Sequence, residues 1–215
     1  NLLLCIFIIY ALFALFQSKT GKGKTISGIV ILACLAALGY KYNALTPEGI
    51  NIEAPIFQQF NPCFVVGLTP VSMAIFGWLA KKGKEPSAPR KIGLGMLVAG
   101  VGYVIMILAS LGITSTEDKV SPNWLICTYL VLTFGELLLS PMGISFVSKV
   151  APPKLKGTMM GGWFVATAAG NLLVSIPGFL WGKVPLVAVW GVLVALCLVS
   201  FIFIFSVMKK LEKVC

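Results

Sequence analysis

The sequence predicts an all-α, polytopic transmembrane helical bundle of about seven spans, and three observations carry that reading. Hydrophobic residues make up 58% of the 215-residue chain and charged residues only 11%, where a soluble domain carries roughly a quarter charged residues; the mean hydropathy is +0.97. The apolar residues run in near-continuous stretches, most of them long enough to cross the roughly 30 Å hydrocarbon core of a bilayer as helices. The basic residues gather in short clusters between those stretches.

The predicted spans are about 2–16, 25–42, 57–80, 92–113, 123–148, 157–182 and 185–208. The first is short. It runs from Asn1 straight into Leu2, Leu3 and Leu4 with no charged leader and no small-residue cleavage site after it, so it does not read as a signal peptide. The chain is expected to begin inside a longer protein.

The linkers provide an internal check. Lys19, Lys22 and Lys24 follow the first span; Lys81, Lys82, Lys84, Arg90 and Lys91 follow the third; Lys149, Lys154 and Lys156 follow the fifth; Lys209, Lys210 and Lys213 form the tail. Strict alternation puts these fourteen of the seventeen basic residues on one side, against Lys41, Lys119 and Lys183 on the other. The rich side is the cytoplasmic one, so the C-terminus is expected in the cytoplasm. The same distribution argues against a nucleic-acid partner, despite a net charge of +10: the clusters mark topology rather than a continuous basic face.

The six cysteines include no C-x-x-C pair and lie mostly in or beside apolar segments, so they read as small, buried, reduced side chains. No histidine is present, which removes the usual zinc and haem ligand and the commonest proton shuttle near neutral pH. There is no phosphate loop and no pair of carboxylates within a span, and a serine nucleophile would lack its usual base. An enzyme is therefore not expected, nor a cofactor.

Among the acidic residues, Glu48, Glu53, Glu85, Glu117, Asp118 and Glu212 fall in linkers or the tail, and Glu136 falls midway through the fifth span. An ionised carboxylate in hydrocarbon is costly, so such a residue faces a cavity or a partner. No Lys or Arg occupies the interior of a span. The expected partner of Glu136 is a proton, a cation from another part of the protein, or a cationic ligand. Ser140 follows four residues later on the same helix face, next to Pro141, where a helix is expected to bend. A protonated Glu that only ties helices together is the alternative.

Two further groups stand out. Trp163, Thr167, Asn171 and Ser175 recur every four residues along the sixth span, among Gly161, Gly162, Ala166, Ala169 and Gly170. That pattern fits either a cavity wall or hydrogen bonding between closely packed helices. Gln58, Gln59, Asn61 and Pro62 enter the third span; their amides suit a carboxylate or peptide ligand, and equally a helix cap or the headgroup layer. Breaks are expected at Pro70, Pro141 and Pro177-Gly178.

Several ordered motifs carry a resemblance. Gly135-Glu136-Leu-Leu-Leu-Ser140-Pro141-Met-Gly143 is followed by Ala151-Pro152-Pro153-Lys154-Leu-Lys156-Gly157, Met159-Met160-Gly161-Gly162-Trp163-Phe164 and Ala166-Thr167-Ala168-Ala169-Gly170-Asn171, with Asn61-Pro62 and Lys84-Glu85-Pro86-Ser87 upstream. Together these resemble the proton-dependent oligopeptide transporter family of the major facilitator superfamily, closely over residues 55–182 and onward to the end. The resemblance implies two six-helix bundles with a peptide cavity between them. Residues 46–215 would be the C-terminal bundle, its spans matching helices eight to twelve, and residues 1–45 an accessory transmembrane hairpin.

By the same resemblance the chain is the C-terminal part of a secondary transporter for proton-coupled uptake of di- and tripeptides in a bacterial inner membrane, with the proton gradient as its driving force. Glu136 would bind the peptide's amino terminus with Ser140 beside it, Asn61 would hold the carboxylate end, Trp163 would shape the side-chain pocket, and Asn171 would line the wall. The expected partners are small peptides, protons, membrane lipids and an N-terminal six-helix bundle whose acidic-arginine motif and tyrosines do not occur in this chain. Two other readings remain open: a non-transporting membrane interaction or scaffold protein that keeps the fold, and an intramembrane enzyme using Glu136.

Overall fold

The structure is a computed structural model and describes residues 2–18, 20–43, 57–113 and 120–213. Glu48, Glu53, Glu117, Asp118, Lys19, Lys119 and Cys215 lie outside the described residues. All regular structure among the described residues is helical: α1 (Leu2–Gln17), α2 (Gly21–Asn43), α3 (Phe60–Lys81), α4 (Ala88–Ser110), α5 (Pro122–Val150), a 3-10 turn (Pro153–Leu155), α6 (Lys156–Leu173), α7 (Ser175–Leu180) and α8 (Leu186–Glu212).

Local chemistry sets the ends of these helices. Ser121 caps α5, its hydroxyl accepting from the Asn123 backbone N–H at 3.4 Å, and Pro122 takes the first helical position, where its missing N–H costs nothing. Pro89 lies in the first turn of α4. Gly83 stops α3 at φ +64° and Gly182 turns the chain between α7 and α8 at φ +77°, a region that disfavours any side chain.

By length and composition, six helices among the described residues are apolar enough to cross a membrane: α2, α3, α4, α5, α8, and the stretch Pro153–Leu180 containing α6 and α7. The seventh expected span, α1, is a shorter apolar helix of 16 residues. At 1.5 Å per residue it measures about 24 Å, short of a roughly 30 Å core. The outer surface is apolar too: Ile202, Phe203 and Leu196 are all exposed.

The prolines behave differently from one another. Pro70 and Pro141 sit inside unbroken α3 and α5. The sixth span breaks at Val174, one turn before the expected Pro177, because a proline ring clashes with the carbonyl four residues upstream. Two helices also run further than expected. Arg90 and Lys91 belong to the first turn of α4 rather than a linker, with Lys91 buried, and Glu212 ends α8 rather than lying in a tail. Of the cysteines, Cys34 is buried and Cys63 and Cys197 are half-buried. Cys5 and Cys127 are exposed, contrary to the expectation of burial; on an apolar outer surface a thiol behaves as one more small hydrophobe.

The chain divides into two compact units, Asn1–Glu85 and Pro86–Cys215. In the first, α1 packs against both α2 and α3, with Ile6 and Ile9 of α1 over Gly67 of α3. In the second, α4 lies between α5 and α8, and two glycine pairs seven residues apart make this possible. Gly93 and Gly100 face α8, under Phe205 and Cys197; Gly95 and Gly102 face α5, under Gly135 and Leu132. At the charged end of this unit, Arg90 grips Glu212 with two nitrogens, at 2.6 and 3.1 Å, and Ser87 Oγ donates to the same carboxylate at 2.6 Å.

Candidate functional site

The site is built on α5, whose position is fixed by its seam with α4. A Cβ at Gly135 would stand 2.9 Å from the Gly95 carbonyl oxygen and 3.3 Å from the Ala99 nitrogen. The two backbones are therefore in direct contact, and Gly135, Leu138 and Thr128 are buried. Glu136 follows Gly135 immediately and, a hundred degrees further round the helix, is exposed. Close packing of one residue thus presents the next one, the carboxylate, to an open face.

Ser140 and Gly143 follow Glu136 at four and seven residues, so the three share one helix face. Because α5 stays helical through Pro141, the proline does not disturb this spacing. The indole of Trp163, on α6, lies directly over Gly143, where a side chain at that position would have to be. The structure thereby brings Trp163 of one helix to the Glu136–Ser140 face of another. A carboxylate, a hydroxyl and an aromatic face along one stripe can recognise an ammonium group and the apolar group attached to it.

The rest of the expected polar stripe is less unified. Trp163, Thr167 and Asn171 lie on α6, while Ser175 falls beyond the break, on α7. Thr167 Oγ1 donates to the Trp163 carbonyl at 3.0 Å and Ser175 Oγ to that of Leu172 at 2.7 Å, so these hydroxyls bond their own backbone rather than a neighbouring helix. Asn171 is exposed and no residue of α6 is buried. A Cβ on Gly161, Gly162 or Gly170 would meet nothing within 4 Å; close packing at these small residues is not found within the described chain.

Asn61 belongs to the other unit. It sits in the first turn of α3, half-buried, beside Pro62, with Phe60 between Phe57 and Phe64 at ring separations of 5.9 and 5.8 Å. Gln59 occupies the N-cap position but makes no side-chain cap bond.

Residues 29–182 match the family described as PTR2, the POT family. The chain belongs to the POT family. Its matched region contains all five candidate residues, Asn61, Glu136, Ser140, Trp163 and Asn171. Among its relatives in the family, a peptide transporter of Yersinia enterocolitica, YePEPT, is 38% identical over 131 residues, covering 60% of this chain and 26% of that protein. Dipeptide and tripeptide permease B of Salmonella typhimurium is 32% identical over 170 residues, covering 72% of this chain and 34% of the permease. The chain thus spans about a quarter to a third of these relatives' lengths.

Solved POT structures share the fold. A peptide transporter POT in complex with sulfate superposes with a TM-score of 0.69 at 25% identity, covering 99% of this chain and 40% of that one. A POT family transporter in complex with 5-aminolevulinic acid gives 0.64 at 25% identity, covering 98% and 41%. With its apolar spans and this family membership, the protein is an integral membrane protein.

Sequence reasoning missed Gly143 as part of the site. Its spacing from Glu136 and Ser140 placed it on their face; what it lacked was any indication that Trp163 crosses there.

Proposed function

We propose that the chain is the C-terminal part of a secondary transporter that couples uptake of di- and tripeptides to a proton gradient. Glu136 pairs with the peptide's ammonium group, and Ser140 supplies a hydrogen bond one turn away. Trp163, seated on Gly143, bounds the side-chain pocket, Asn171 lines the wall, and Asn61 takes the carboxylate end. The observation that carries this reading is the Glu136–Ser140–Gly143 stripe covered by Trp163, in a chain whose relatives include peptide transporters by name.

On this reading residues 46–215 supply helices eight to twelve of the fold, residues 1–45 form an accessory hairpin, and a further six-helix bundle completes the cavity. The charge asymmetry of the linkers supports a cytoplasmic C-terminus, and the bacterial relatives favour an inner membrane. A proton occupies Glu136 when peptide does not. The deciding experiment uses the full-length protein in proteoliposomes: Glu136→Gln is expected to abolish dipeptide uptake driven by an imposed proton gradient. Undiminished uptake by that variant, at equal reconstitution, would falsify the assignment.

A further inference from the structure

The Glu136 face of α5 continues one turn towards the start of that helix. Thr133 precedes Glu136 by three residues, so it lies on the same face as Glu136, Ser140 and Gly143. It stands about 200° round the helix from Gly135, on the side turned away from the seam with α4. Thr133 has no exposed surface, and its Oγ1 has no hydrogen-bond partner among the described residues.

That hydroxyl departs from the habit of its neighbours. A threonine inside a helix ordinarily donates to the carbonyl four residues back. Thr25, Thr69, Thr128 and Thr167 do so, on Gly21, Val65, Trp124 and Trp163, at 3.1, 2.6, 2.9 and 3.0 Å. α5 is helical without interruption around Thr133, so the Tyr129 carbonyl is placed for the same bond. Thr133 does not make it. A buried hydroxyl without a partner costs stability, whereas valine has the same shape and carries no such cost.

Two facts select the acceptor. Because Thr133 is wholly buried, a ligand in the cavity does not touch it, and the hydroxyl must act through a neighbour on its own helix. Side chains three and four residues away are the ones within reach: Tyr129 and Leu130 before it, Glu136 and Leu137 after it. Helical side chains lean towards the helix start, which carries Tyr129 away from Thr133 and brings Glu136 back over it. Of the two that lean its way, Glu136 carries the acceptor.

We propose that Thr133 is a positioning residue for Glu136: when a ligand's ammonium group closes over the carboxylate and water leaves, Thr133 Oγ1 donates to the carboxylate and fixes its aim. An ionised carboxylate accepts at both oxygens, and in a site emptied of water those bonds must come from protein or ligand. The ammonium group supplies one, and Thr133 has kept a donor for the other. The inference rests on the reading of Glu136 given above.

The test measures binding of alanyl-alanine and of N-acetyl-alanyl-alanine to the full-length protein in nanodiscs by isothermal titration, together with thermal melting of the ligand-free protein. Thr133→Val is expected to weaken alanyl-alanine binding about tenfold, as for the loss of one hydrogen bond to a charged group. Binding of the N-acetylated ligand should be unchanged, and the melting temperature no lower than native. Thr133→Ser, which keeps the hydroxyl and drops a methyl, should bind alanyl-alanine as the native protein does even though it melts lower. On a Glu136→Gln background, Thr133→Val should cost no further affinity, the signature of two residues acting through one contact. Equal losses for Val and Ser would overturn the proposal, as would a further loss on the Glu136→Gln background or a melting temperature depressed by valine. If Glu136→Gln alone leaves alanyl-alanine binding intact, the reading of Glu136 falls and this inference with it. If Glu136→Gln weakens binding and Thr133→Val does not, the role of Thr133 falls and that of Glu136 stands.

Discussion

Gly95 and Gly135 hold α4 and α5 in backbone contact: a Cβ on Gly95 would stand 2.8 Å from the Gly135 carbonyl oxygen, and one on Gly135 2.9 Å from that of Gly95. Neither neighbour is a side chain that can swing away. Gly135→Ala is therefore expected to push the helices apart and to destabilise the protein by about 1–3 kcal/mol, the range for overpacking a well-filled seam. It should also impair uptake, because the seam orients Glu136. Gly102→Ala is the control, since the atoms it would meet belong mainly to the flexible Leu132 side chain. Thermal unfolding of the two purified variants should rank Gly135→Ala well below Gly102→Ala; equal melting would remove the seam's special status.

Gly143 is the counterpart of this seam on the site side. With the Trp163 indole lying over it, Gly143→Leu must displace the indole rather than the backbone. Stability is expected to change little, whereas the affinity for peptides with bulky side chains should change relative to glycyl-glycine. A competition series over dipeptides of graded size would show this. A uniform loss across the series would mean that Trp163 only packs helices and does not bound a pocket.

The proposed recognition of an ammonium group by Glu136 makes a sharper demand than loss of transport. An N-acetylated dipeptide has no ammonium group, so Glu136→Gln should not weaken its binding. The parent dipeptide should lose about thirtyfold or more, the cost of removing one partner of a buried charge pair being roughly 2–5 kcal/mol. Equal losses for the two ligands would assign Glu136 to proton handling alone.

Much of this was legible because the bilayer simplifies the code. Apolar length marks the spans, lysine clusters mark their ends, and a carboxylate midway along a span identifies itself by its cost. Glu136 and Ser140 lie on one face because helical spacing is fixed. Where helices meet is not written locally. Of the 22 glycines in the chain, Gly95 and Gly135 touch backbone while Gly161 and Gly162 meet nothing among the described residues, a difference set by crossing geometry rather than by neighbouring residues. The broken sixth span was legible in kind but displaced, at Val174 rather than Pro177, since a proline acts on the preceding turn. The first-turn positions of Arg90 and Lys91 were hidden because a basic cluster after a span looks the same whether coiled or helical.

The cluster of Arg90, Ser87 and Glu212 makes a prediction that depends on sign. Arg90 approaches the Glu212 carboxylate at 2.6 and 3.1 Å while Ser87 donates to it at 2.6 Å, joining the start of α4 to the last turn of α8. Glu212 is flanked by Lys209, Lys210 and Lys213, so removing its partner leaves it surrounded by cations on its own helix and still favourably placed; the loss is in tethering rather than charge. Arg90→Glu adds repulsion and should fray the end of α8, seen as faster backbone hydrogen exchange over residues 208–213. Glu212→Arg should fray it as well. Combining the two restores opposite charges and should return exchange towards the native rate, the non-additivity expected of residues in direct contact. The restoration should be incomplete, because the Ser87 hydroxyl then has no carboxylate on α8 to donate to. Simple addition of the two single effects would show that the pair contributes nothing to holding the helices together.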